Sequence, residues 1–501
     1  MIRYKSERQM SLEGFTLPFG GKLNPENRWV KLGQRIPWDE LSKGYYKKMS
    51  ANRGRPAKNA RLVIGAVIVK HKLNLSDEET VLQIQENPYL QYFVGLSRYQ
   101  EEPAFAPSLF VEIRRRMGSE VFDVFEKAIL AEIERSRKKV KDDDDQNKPS
   151  HKGKLVIDAT VAGQAIRYPT DLGLLNESRE ITEGLIDELA KASKVKKPRT
   201  YREQAKKRYL NLAKNKKPGK RLLRQGIRQQ LQYLRRNLSH IDDLLDAFEK
   251  FPLSPRKQKQ YWVVRQVYNQ QLSMYRNHAH RCDDRIVSIH QPHVRPIVQG
   301  KAGCKTEFGS KISVSLVDGM AMVDHLGWDA FNEGQDLQDQ VERYKTRYGY
   351  YPESVLADGI YGTRDNRRYL KGEGIRFGGK PLGRPMKQTE LNAEQIKLAK
   401  KQRKQDAVER IPIEGKFGQG KNGYRLNYIR AKTAKTSEAW IRAIFLVMNL
   451  MVLLRCLFAR RTGAVKSSFS RYLADQFLWM LYQLECCGLA MTELTKPQMI
   501  F

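Results

Sequence analysis

Leu223, Ile227, Leu231, Leu234, Leu238, Ile241, Leu245 and Phe248 recur at steps of three and four residues. That spacing is one face of a long helix which must pack on another helix. The same region is strongly basic. Lys194 to Arg236 holds 17 Lys and Arg against the single acid Glu203, nearly half of the net charge of +35. An apolar seam turned inward and arginines turned outward predict a basic helical insertion over 178–285, with Arg224, Arg228, Arg235 and Arg236 on phosphates. A soluble helical hairpin is the plainer alternative. An excess of 35 positive charges calls for a polyanionic partner, either nucleic acid or an acidic membrane surface.

The rest of the composition narrows the class. The chain has 501 residues, more than one core usually holds, and 40% are hydrophobic, enough for packed domains. Five cysteines are too few for a disulfide framework, and the charged start after Met1 lacks a secretory apolar stretch. Both point to the cytoplasm. Ala443 to Leu454 is apolar apart from Asn449, but a membrane span needs about 20 such residues, so a buried helix is expected.

Along the chain the texture changes several times. Residues 1–135 read as short capped helices, with Ala60 to Leu73 apolar-rich and caps at Ser76, Ser108 and Ser119, which suits a DNA-binding module. Helical packing or dimerisation is the alternative there. Arg53 and Arg55, in Asn52-Arg-Gly-Arg-Pro56, resemble the core that AT-hooks place in the minor groove. Residues 136–153 read as a linker, its Asp142–Asp145 run a solvated charge cluster. Lys154 to Thr160 reads as a strand ending on Asp158. Gly309 to Val317 alternates like a half-buried strand, with Asp318-Gly319 as its turn. A helix is expected over Leu337 to Tyr348, a strand over Ser354 to Gly359 carrying Asp358, and a helix from Thr363. Strands mixed with helices make this part an α/β layer.

Two strand-end aspartates, Asp158 and Asp358, stand where open α/β sheets carry catalytic groups. Brought together they would repel unless a divalent cation neutralised them. An aspartate at a strand end is also a common turn former.

Arg410-Ile-Pro-Ile-Glu414-Gly-Lys-Phe-Gly-Gln-Gly-Lys421 reads R-x₃-E-x₆-K, which resembles the third-acid motif of DDE transposases of bacterial insertion sequences. The likeness is to the insertion-sequence 4/5 superfamily and, through the N-terminal helices, to the insertion-sequence 5 group. Ile157 to Glu177 resembles the family's first-Asp segment and Leu356 to Leu370 its second. Where the family has a Tyr three residues before the Arg, this chain has Ala407. The resemblance implies an RNase H-like α/β core, a mixed sheet flanked by helices, with a helical insertion and an all-α N-terminal domain. It implies a catalytic and metal-binding set of Asp158, Asp358 and Glu414 with two Mg²⁺ ions, for which Mn²⁺ can substitute, and DNA contacts from Arg410 and Lys421. On an ideal helix Arg410, Glu414 and Lys421 share a face, although Pro412, Gly415, Gly418 and Gly420 count against a regular helix.

The implied activity is cleavage at terminal inverted repeats of double-stranded DNA and joining of 3′-hydroxyl ends to target DNA. A homodimer on DNA, a prokaryotic cytoplasm near the nucleoid and no membrane association go with it. The core would comprise 154–177 and 286–460, followed by a helical tail over 461–501. Two other classes remain open: a catalytically inactive transposase-derived DNA-binding protein, and an RNase H-like nuclease without strand transfer.

Overall fold

A computed structural model of the chain describes residues 11–18, 21–47, 49, 57–138, 150–298, 306–383 and 392–461. Two compact units divide it, Met1–Asn449 and Leu450–Phe501. Within the described residues the molecule is mixed α/β, with one mixed sheet and many helices.

Among the described residues seven α-helices precede the sheet: α1 (Arg28–Arg35), α2 (Trp38–Tyr46), α3 (Ala60–Leu73), α4 (Asp77–Glu86), α5 (Pro88–Phe93), α6 (Leu109–Arg116) and α7 (Ser119–Lys138). Every residue of α3 from Ala60 to His71 is buried, which explains a sequence apolar on all sides. Its buried Arg61 and Lys70 are matched. The Arg61 guanidinium donates to the Phe93 carbonyl at 2.8 Å and lies over the Trp38 ring at 4.6 Å. Lys70 pairs with Asp77 at 2.9 Å, and Arg114 grips the same carboxylate with two nitrogens at 2.9 and 2.7 Å. Ser76 caps α4 as expected, its hydroxyl accepting from the Glu79 N–H. Ser108 does not cap α6: its backbone is already helical and its side chain makes no cap bond. The Asp142–Asp145 run lies outside the described residues.

Strand β1 (Lys154–Gly163) is followed by α8 (Asp171–Ser193), α9 (Arg202–Ala213), α10 (Lys220–Leu245) and α11 (Pro255–Arg276). The expected apolar seam lies on α10 and packs with α8 and α11 into one core containing Leu231, Leu234, Leu238 and Ile241. Helix α8 starts at Asp171, ahead of the boundary expected at 178, because Thr170 caps it.

The chain then returns to the sheet through β2 (Arg295–Val298), β3 (Thr306–Val317) and β4 (Met320–Gly327). Asp318 and Gly319 join β3 to β4 with φ of 50° and 84°, the doubly left-handed pair that a tight two-residue hairpin requires. Helix α12 (Leu337–Tyr348), strand β5 (Ser354–Leu356), helix α13 (Arg364–Gly372) and strand β6 (Arg376–Phe377) follow. The strand order is β2-β3-β1-β5-β6, and β4 also pairs with β3. Pairs β1–β3 and β3–β4 are antiparallel, whereas β1–β5 and β5–β6 are parallel. Leu155, Ile157 and Val355 turn one sheet face into a core with Leu337, Val341 and Leu370.

Helix α14 (Ala393–Gly418) packs on β1 and β5. Two ion pairs fasten it there: Arg376 holds the buried Asp406 with two nitrogens at 2.6 and 2.8 Å, and Lys154 meets Glu409 at 2.6 Å. Helix α15 (Ala434–Arg461) is the one described helix long and apolar enough, by length and composition, to cross a membrane. Its residues Ala443 to Asn449 are buried in the first unit.

Candidate active site

Register brings the two aspartates together. Strand β1 pairs with β5 as Lys154↔Ser354, Leu155↔Val355 and Val156↔Leu356, an offset of 200 residues. Asp158 and Asp358 are separated by the same 200, each two residues past the last pair, and the Asp358 charge acts on the Asp158 carboxyl, so the two lie near each other. Asp158 is not at a strand end as expected. It lies within β1, opposite Val314 of β3, because β1 continues to Gly163. Asp358 follows β5 and starts the turn Gly359–Tyr361, its carboxylate accepting from the Gly359 N–H at 2.7 Å.

The Asp158 carboxyl is pushed up to about 6, first by burial. The Ala159 N–H and the Arg410 guanidinium oppose that shift, while Glu333 and Asp358 add to it as neighbouring negative charges. A half-buried acid crowded by two more carboxylates is a site for a positive charge.

Helix α14 supplies the third expected acid. The helix runs through Pro412 to Gly418, against the sequence expectation, and ends in a π-turn over Gln419–Gly423. Pro412 and Val408, whose carbonyl loses its usual donor, are both on the exposed side, where water can replace the bond. Glu414 pairs with Arg410 one turn away at 3.6 Å and is 59% exposed. Arg410 thus faces both Glu414 and the field of Asp158. The expected convergence of three acids is not seen: among the described residues no three of His, Cys, Asp and Glu form a group able to hold one metal ion. Glu414 lies on the exposed side of α14, with Arg410 as its ion-pair partner. Two neighbouring aspartates still suit a Mg²⁺ ion, which usually takes one or two carboxylates and fills its remaining positions with water and phosphate.

The other expected DNA contacts divide. Lys421 meets Glu307 of β3 at 3.3 Å, because the π-turn breaks the regular helical phase that would have aligned it with Arg410. On α10, Arg228 and Arg235 are exposed. Arg224 instead lies over the Tyr275 ring at 4.1 Å and Arg236 over the Tyr201 ring at 4.7 Å. Arg53 and Arg55 lie outside the described residues.

Sequence reasoning missed Glu333. It sits in a short turn after β4, pairs with Lys311 of β3 at 2.7 Å, and adds its charge to Asp158. Asn366 staples this turn to the Asp358 turn, donating to the carbonyls of Gly334 at 2.6 Å and Tyr361 at 2.9 Å. No local pattern around Glu333 announces this; only the fold brings the two turns together.

Two family models match the chain. One, described as Transposase DDE domain, covers residues 355–451 and so includes Asp358, Arg410, Glu414 and Lys421. The other, described as Transposase domain (DUF772), covers residues 18–116. A relative from Rhizobium meliloti, called uncharacterized protein ORF8 in nfe locus, is 34% identical over 152 residues, 30% of this chain and 68% of that protein. No solved structure matches. With the paired aspartates, the acid-bearing helix and both transposase domains in one chain, this protein belongs to the DDE transposases of insertion sequences.

Proposed function

We propose that the protein moves its element by metal-dependent phosphoryl transfer on double-stranded DNA, with Asp158, Asp358 and Glu414 as its catalytic acids. The observation that carries this reading is the shared 200-residue offset of the β1–β5 register and of the two aspartates. The path from β1 through the β3–β4 hairpin and α12 to β5, together with the mixed strand order, supports an RNase H-like core. Helices α8 to α11 are then an insertion between β1 and the hairpin, and the N-terminal helices a separate DNA-binding region. A homodimer that holds two element ends, working in the cytoplasm where the DNA lies, completes the reading.

Asp158 and Asp358 would hold one Mg²⁺ or Mn²⁺, and Glu414 would help hold a second after leaving Arg410. Divalent ions bound there supply activation of the attacking hydroxyl and charge stabilisation of the leaving oxygen. Arg410, released from Glu414, faces the phosphate and offsets its charge. In the first step water attacks the phosphodiester at the element end and a 3′-hydroxyl leaves. In the second that hydroxyl attacks a target phosphodiester, one P–O bond forming as another breaks. No covalent enzyme intermediate is required.

The test uses a duplex bearing the element's terminal repeats. D158N, D358N and E414Q should each lower cleavage and joining by roughly a thousandfold, the factor that several kcal/mol of lost charge stabilisation represents, while leaving DNA binding nearly intact. Glu177 and Asp365 are the controls, and E177A and D365A should remain active. Full cleavage in EDTA, or an active D358N, would overturn the assignment. Cleavage without joining would leave a nuclease.

A further inference from the structure

The segment after the π-turn, residues 424–431, is held as firmly as a strand although it is a loop. The Gly163 N–H donates to the Leu426 carbonyl at 3.1 Å, the Ile429 N–H to Gly163 at 2.8 Å, and the Ala165 N–H to Ile429 at 2.9 Å. The Gln164 amide donates to the Ala431 carbonyl at 2.7 Å, and Asn74, at the end of α3, donates to Gly423 at 2.9 Å. Gly163 permits the approach: a Cβ there would lie 2.5 Å from the Asn427 carbonyl oxygen.

This rigid loop presents chemistry that the acids do not use. Tyr428 is 48% exposed, and the Arg430 guanidinium lies over its ring at 5.5 Å. Tyr424, Arg425, Tyr428 and Arg430 form one wall of a cavity of about 150 Å³, with Lys70 and Arg114 of the N-terminal helices opposite. Lys70 and Arg114 share the single Asp77 carboxylate, whereas Arg425 and Arg430 form no ion pair among the described residues. Tyr168, 72% exposed, stands on the chain that leaves the same end of β1. An exposed ring with a guanidinium on it, beside unneutralised arginines, matches the stacking platform and cationic track that hold unpaired nucleotides.

We propose that the cavity between the 424–431 loop and the N-terminal helices is a binding site for an unpaired nucleotide of DNA, its base stacked on Tyr428 and its phosphate on Arg425 and Arg430. The site rests on the reading of the chain as a DNA phosphoryl-transfer enzyme and adds a substrate feature to it. Gly163 is five residues along β1 from Asp158, about 17 Å, or about five base steps of duplex. A strand cut at the acids therefore reaches the loop with its first few nucleotides, where an unpaired base is held away from its complement.

The experiment compares the full chain on a blunt duplex and on the same duplex with a single-stranded tail carrying 2-aminopurine. The tailed DNA should bind more tightly, by roughly 5- to 150-fold per stacked base, and the 2-aminopurine emission should be quenched on binding. Y428A and R430A should abolish both differences, and Y428F should retain them. Equal affinity for the two DNAs in the unaltered protein, without quenching, overturns the proposal whatever the variants do. Y428A that still discriminates and quenches overturns it as well. Failure to bind either DNA defeats the broader DNA reading instead, and this site with it.

Discussion

Glu126 on α7 is a carboxyl with little access to water, and it is pushed up to about 7 from an ordinary value of 4.5. Burial is the main cause; Arg347 and Arg442 oppose it and Asp324 adds to it. Arg347 is shared, meeting Asp324 of β4 at 2.8 Å and Glu126 at 3.9 Å. Because the folded value is raised, the stability contributed by neutral Glu126 is fully present below pH 4.5 and is lost as pH rises through about 7. E126Q keeps the neutral form at every pH. Chemical denaturation across that window should show a shallower fall for E126Q than for the unaltered chain; an identical pH slope would mean that the carboxyl is charged throughout. At the same scale, Glu333 and Arg410 show how an acid site is finished by residues far from it in sequence. The groups that act on Asp158 are an N–H of β1 itself and charges from the turn after β4, the turn after β5 and α14.

Among the elements, α15 illustrates how an apolar helix is assigned its neighbour. Asn449 breaks the run from Ala443 to Leu454, and in the fold its amide accepts from the Ala321 N–H at 2.9 Å and donates to the Ala321 carbonyl at 2.8 Å. One buried side chain therefore satisfies both backbone groups of a residue on β4. N449L would leave that donor and acceptor without partners in an apolar setting. It should lower stability by about 1–3 kcal/mol for each group, read as a lower denaturant midpoint with an unchanged slope. An unchanged midpoint would mean that water or a shifted backbone replaces the amide. Helix α14 is governed in a similar way. It is kept regular past Pro412 by Ile413 and Phe417, which are buried, and by the Asp406 and Glu409 ion pairs to the sheet. Local propensity is outweighed by burial there, as happens wherever an element has a strong tertiary seat.

For the molecule as a whole, a net charge of +35 predicts salt-sensitive DNA binding, but the arginines on α10 are not equivalent. Arg228 and Arg235 are exposed, so the double variant R228A/R235A should weaken binding and flatten the log–log salt dependence by about 0.9 for each phosphate left without its cation. Arg224 lies on the Tyr275 ring of α11 and Arg236 on the ring of Tyr201, just before α9. R224A should therefore lower the thermal midpoint as well as affinity, whereas R228A/R235A should leave the thermal midpoint unchanged. An unaltered salt slope for the double variant would assign this face to solubility rather than to DNA.

Several features were legible in the residues alone, and each is a local rule. The helix over Leu337–Tyr348, the Asp318-Gly319 turn, the Ser76 cap and the seam of α10 all follow from spacing or backbone preference within a few turns of chain. The R-x₃-E-x₆-K motif and the transposase family were legible too, since a family likeness needs only the order of residues. Tertiary structure alone decided the rest. It set the β1–β5 register that aligns Asp158 with Asp358, brought in Glu333, and turned Lys421 toward Glu307 through a π-turn. The physical reason is the same each time. A pairing across 200 residues is chosen by the surface that two distant segments bury together, and a charge takes the nearest opposite charge the fold presents to it.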